Sequence, residues 1–144
     1  MAYASTSYLQ AKFGNTELLQ IADYDANGTA DPTVLTTALD DASAEMDAYL
    51  GIAYTLPLST PYPALLVRLC LDLARYAIYK DQSPENVRKN REDAISLLKR
   101  IALGEATIPG LVLPIDAAPT GALHVTTSTR VFSDALFANY PSIG

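Results

Sequence analysis

Residues 63–80, Pro-Ala-Leu-Leu-Val-Arg-Leu-Cys-Leu-Asp-Leu-Ala-Arg-Tyr-Ala-Ile-Tyr-Lys, restrict the fold of this chain more than any other stretch. They contain no glycine, and their only proline stands first, where a helix tolerates it. Wound as a helix, the segment is apolar around most of its circumference, with Arg68, Asp72 and Arg75 in one narrow stripe at three- and four-residue spacing. Such a helix has to be covered on nearly every side. Its charges and its length, short of the roughly 20 residues a bilayer requires, exclude a membrane span. It is expected at the centre of a bundle, or covered on its second face by a neighbouring subunit.

The flanking elements supply partners for it. Asp31-Pro32 reads as a helix start, an aspartate cap before a proline at the first helical position. Val34, Leu35, Ala38, Leu39, Ala42, Met46, Tyr49 and Leu50 then recur on one helix face, with Gly51 as the expected stop. Residues 5–13 and 16–22 suggest two short helices divided by Gly14-Asn15, packed as an N-terminal clasp. Pro57, Pro61 and Pro63 make residues 56–63 a crossing loop. Ser83-Pro84 opens a last helix with Val87, Ala94, Leu97, Leu98 and Ile101 inward and Gly104 at its end. The pairs Arg88/Glu92 and Lys89/Asp93 are spaced to lace its solvent face. The fold class is therefore all-α, a small helical bundle over residues 1–104 followed by an extended C-terminal arm, residues 105–144. Pro109, Gly110, Pro114, Pro119 and Gly121 interrupt that arm, yet it is poor in charge and rich in apolar side chains, so it is expected to leave the bundle and lie on a partner.

A chain of 144 residues with 49% apolar side chains can bury one core. Ten Lys and Arg against 16 Asp and Glu argue against a dedicated nucleic-acid binder, which needs clustered cations. The charges are also segregated. Residues 1–60 hold a single base, Lys12, against Glu17, Asp23, Asp25, Asp31, Asp40, Asp41, Glu45 and Asp47, whereas in residues 61–104 bases outnumber acids. The acidic part of one subunit could thus meet Arg75, Lys80, Arg88, Lys89 and Arg91 of the next, a head-to-tail contact that closes into a homo-oligomeric ring. Equally, the two signs could face each other within one chain. Cys70 cannot form an internal disulfide and reads as a small core residue. The first ten residues lack the basic and apolar regions of a secretory signal, so synthesis in the cytoplasm is expected.

Chemistry has little to stand on. Residues 23–31, Asp-Tyr-Asp-Ala-Asn-Gly-Thr-Ala-Asp, place oxygen ligands and a glycine as an EF-hand loop does, which raises the alternative of a small calcium-binding module. Val34 then stands where the closing bidentate glutamate belongs, and an Asx-rich turn capping the next helix is the preferred reading. His124 lies alone in the arm, and Asp40, Asp41, Glu45 and Asp47 suit the exposed side of a helix. No catalytic, cofactor or metal-ligating residue is assigned, and no enzyme activity is expected. Near the end of the arm Phe132, Leu136, Phe137 and Tyr140, with Arg130 and Val131 before them, have the spacing of anchors that dock into a partner's groove.

Several segments also resemble a known family. Tyr8-Leu-Gln-Ala-Lys-Phe-Gly14, Glu17-Leu-Leu-Gln-Ile21 with Asp23-Tyr-Asp25, and Ala38-Leu-Asp-Asp-Ala-Ser-Ala-Glu-Met-Asp-Ala-Tyr-Leu50 carry the likeness. Tyr54-Thr-Leu-Pro-Leu58, Leu71-Asp-Leu-Ala-Arg-Tyr76 and Pro84-Glu-Asn-Val-Arg88 extend it, and it returns at residues 130–140. Together they resemble the head-tail connector, or adaptor, proteins of Mu-like phages and prophages. The resemblance implies a non-enzymatic virion protein of the neck, a twelve-fold ring beneath the portal. It implies the portal as one partner and a stopper or tail terminator as the other, with genomic DNA passing through the ring without specific binding.

Overall fold

The computed structural model describes residues 2–79 and 82–113 of the chain. Among them it is all-helical, with five helices and no strand. The first two, α1 (Thr6–Phe13) and α2 (Asn15–Ala22), form a hairpin. It turns on Gly14, whose φ of +83° is open to glycine without strain, and whose N–H donates to the Gln10 carbonyl.

Helix α3 (Pro32–Ala53) starts as its sequence requires: the Asp31 carboxylate accepts the Thr33 N–H at 2.9 Å, and Pro32 occupies the first turn. Its end corrects the expectation at Gly51. The helix runs through that glycine to Ala53, where the Tyr54 N–H donates to the Leu50 carbonyl at 2.8 Å. A helical glycine costs about 1 kcal/mol relative to alanine, and burial of Leu50, Ala53 and Tyr54 outweighs it.

After a loop with cis peptide bonds before Pro57 and Pro61, α4 (Ala64–Tyr79) runs back along α3. Ala77 and Ile78 lie beside Val34 and Ala38, and Cys70 lies beside Ser43. Residues Leu69 through Ala74 are buried without a break, so α4 is covered on every side for more than one full turn, as its composition demands. α5 (Glu85–Ala102) reverses again and runs parallel to α3. Its start differs from the Ser83 cap: Pro84 holds the cap position, its carbonyl accepting the Val87 and Arg88 amides, and no side chain caps the helix. Leu35, Leu39, Met46 and Leu50 of α3, Leu66, Leu69 and Leu73 of α4, and Leu98 and Ile101 of α5 share one core. Each contributes about 1.5–3 kcal/mol relative to exposure.

Gly104, at φ +74°, closes α5 with a Schellman motif in which its own amide reaches Ile101 and the Glu105 amide reaches Arg100. The segment that follows stays on the bundle as far as it is described. Ile108 is 1% exposed and its N–H donates to the Tyr54 hydroxyl at 3.2 Å. Residues 114–144 lie outside the described residues.

Candidate assembly surfaces

The charged stripe of α4 is spent on the N-terminal hairpin. Lys12 lies 2.7 Å from Asp72, which Arg68 also approaches at 3.7 Å from one turn earlier on α4. Arg75 reaches Glu17 of α2 at 2.5 Å while its guanidinium sits 4.5 Å above the Phe13 ring, and the Tyr79 hydroxyl donates to the same carboxylate at 2.9 Å. Burial, then the bond to Glu17, raises the Tyr79 pKa above that of a free phenol. Arg68, Asp72 and Arg75 therefore form no triad of their own: Asp72 gathers cations from α1 and α4, Glu17 of α2 takes both of its donors from α4, and the pairs clip α1 and α2 to the central helix.

A second junction escaped sequence reading. The Tyr3 N–H donates to Ser43 Oγ at 3.0 Å, and Ser43 in turn donates to the Leu39 carbonyl at 2.7 Å. Cys70 Sγ lies 3.5 Å from the same hydroxyl, and burial pushes its thiol pKa up, as befits an unreactive core cysteine. The Tyr3 hydroxyl donates to Asp47, and its ring meets Tyr62 edge to face at 4.9 Å. Nothing periodic surrounds Tyr3 in the sequence, so pattern alone offered no signal for it.

Two pairs join the acidic and basic parts within the chain. Arg75 pairs with Glu17, and Arg91 pairs with Glu45 at 3.0 Å while stacking 4.7 Å above Tyr76. Arg88 bonds Glu85 of its own helix rather than Glu92, because Glu85 occupies the open first turn. Lys89 is exposed and has no acidic partner within 4 Å among the described residues, while Lys80 lies outside them. Of the four described cations expected to face a neighbour, Arg88 and Lys89 are exposed and Arg75 and Arg91 half-buried.

The Asp23 loop is built as an Asx turn. The two Asp23 oxygens accept the Asn27 and Gly28 amides at 3.0 and 2.9 Å, and Asn27 Oδ1 accepts the Thr29 amide at 2.8 Å. Asp31 faces the other way to cap α3. Among the described residues no three His, Cys, Asp or Glu side chains gather as a metal site. A hollow of about 300 Å³ lies between the ends of α3 and α4, over Val34, Ala38 and Ile78 with Asp31 and Asp41 at its rim.

At the opposite end of the bundle a larger groove, about 560 Å³, runs between the proline loop and the root of the arm. Tyr54, Pro57 and Leu58 form one wall and Leu111, Val112 and Leu113 the other. The expected anchors Arg130, Val131, Phe132, Leu136, Phe137 and Tyr140 lie outside the described residues.

No described helix is long and apolar enough to cross a membrane. A family model described as Bacteriophage Mu, Gp36 matches residues 3–125. The Mu-like prophage FluMu protein gp36 of Haemophilus influenzae is 36% identical over 106 residues, 74% of this chain and 74% of its own length. Gene product J of Escherichia phage Mu is 33% identical over 136 residues, covering 92% of this chain and 95% of its own. With a family match over most of its length and relatives this similar, the chain belongs to the bacteriophage Mu Gp36 family.

Proposed function

We propose that this phage protein is a structural, non-enzymatic subunit of the virion neck, a head-tail connector that forms a homo-oligomeric ring beneath the portal. The resemblance of its segments to the head-tail connector proteins of Mu-like phages carries the reading, and the near end-to-end likeness to gene product J of phage Mu sets the chain among phage proteins. The structure supports it through its economy of polar groups: Asp72, Glu17, Ser43 and Tyr3 are all engaged in fastening helices to one another. The exposed Arg88 and Lys89 offer the acidic face of a neighbouring subunit a contact, and a twelve-fold ring follows the resemblance. The portal receives the C-terminal anchors, a stopper or tail terminator binds below, and the acidic net charge of -6 lets genomic DNA slide through without holding it.

The test is to delete residues 128–144 from the protein encoded by a Mu-like prophage and examine induced particles by electron microscopy. Filled heads and separate tails are the expected outcome, with the purified truncated protein retaining its helical circular dichroism. Normal joined virions would refute docking through the arm, and joined virions after removal of the whole gene would refute the neck role.

A further inference from the structure

We propose that in the free subunit residues 131–137 of the same chain seat in the groove between the proline loop and the root of the arm. The inference goes beyond the neck reading and stands without it.

The groove is open, apolar and without charge. Its walls are Tyr54, Thr55, Pro57, Leu58, Ser59 and residues 110–113, so neither nucleic acid nor a charged peptide finds a complementary partner there. It also marks the apolar end of the bundle. Because α3 and α5 run parallel, both finish at this end, and Ile52, Leu103 and Val112 stand 68, 71 and 89% exposed. A surface of this kind is ordinarily covered.

The chain itself carries a matching occupant. It leaves the described structure at Leu113, on the groove wall. Residues 114–144 hold only Asp116, Arg130 and Asp134 as charges, and gather Val131, Phe132, Ala135, Leu136 and Phe137 into one apolar stretch. A random coil as long as the intervening residues 114–130 has a root-mean-square span of roughly 20–25 Å. That is about the length of α5 at 1.5 Å per residue. Tethers of this length give effective concentrations in the millimolar range, so an intrinsic dissociation constant of about 0.1 mM would keep the segment docked about nine-tenths of the time. A separate molecule at micromolar concentration would not compete. Docking within the chain would hide the apolar end before assembly and free the same anchors when a receptor offers a better seat.

The chain has no tryptophan, so Phe132→Trp in the full-length protein provides a single reporter. The expected emission is blue-shifted, resistant to acrylamide, and the same at every protein concentration. Adding Val112→Asp, a change at an exposed position on the groove wall, should move the emission to the red and restore quenching while circular dichroism stays unchanged. Solvent-like emission from the single variant would overturn the proposal. A blue shift that grows with concentration would assign the segment to another subunit's groove and overturn it as well, as would one that Val112→Asp leaves untouched. Phe137→Trp gives a second reading should the larger indole fit poorly in place of Phe132.

Discussion

Tyr3 ties the N-terminal strand of chain to α3 twice, through its amide to Ser43 and its hydroxyl to Asp47. A phenol that donates to a carboxylate must stay protonated; burial first, and then the Asp47 bond and charge, raise its pKa above the ordinary value of about 10. The unfolded chain keeps the ordinary value. The folded state therefore holds this proton more tightly, and the stability it contributes is complete below about pH 10 and is lost as pH rises toward the higher folded pKa. Tyr3→Phe should cost about 1 kcal/mol at neutral pH and make the alkaline decline shallower in urea midpoints measured across pH. Some decline should remain, because the Tyr79 pKa is also raised. Parallel loss in both proteins would show that this hydroxyl is not the linked group. Lys12, Glu17 and Asp72 were visible as charges in the sequence, but which of them would meet depended on how the hairpin lands on α4.

Among the elements, helix starts and stops were legible where local chemistry settles them. Asp31-Pro32 caps α3, and Gly104 ends α5 in the left-handed conformation that glycine adopts without strain. Gly51 misled because a glycine inside a helix costs little beside the burial that follows it, and Ser83 misled because Pro84 took the cap position. The Asp23 loop belongs at this scale too. The Asp23 carboxylate engages two backbone amides, Asp25 accepts the Asn27 side-chain amide, and Asp31 is committed to the helix end. Asp31→Ala should lower stability by about 1 kcal/mol, whereas EDTA should leave the thermal midpoint of the intact protein unchanged. A midpoint that falls on chelation and that calcium alone restores would make the loop a site.

At the scale of the whole molecule, Arg75 and Arg91 are drawn to acids of their own chain, while Arg88 and Lys89 stay exposed. If the proposed ring uses them, Arg88→Glu with Lys89→Glu should weaken self-association about two- to fivefold per contact, as expected for exposed pairs. High salt should mimic that loss in sedimentation velocity, and association indifferent to both changes would exclude this contact. The all-helical class and the limits of most helices were determined by the sequence alone, because helical periodicity, caps and prolines act over a few residues, whereas the cover of α4 by its own chain, rather than by a neighbouring subunit, over residues 69–74 came from the packing. Only the tertiary structure decided that Arg75 and Arg91 would find Glu17 and Glu45 in their own chain, that Tyr3 would close on Ser43 and Asp47, and that the segment after Gly104 would bury Ile108 beneath Tyr54. Those contacts join residues some 40 to 60 positions apart. No local propensity encodes a partner at that distance; it follows from which faces the packed helices bring together.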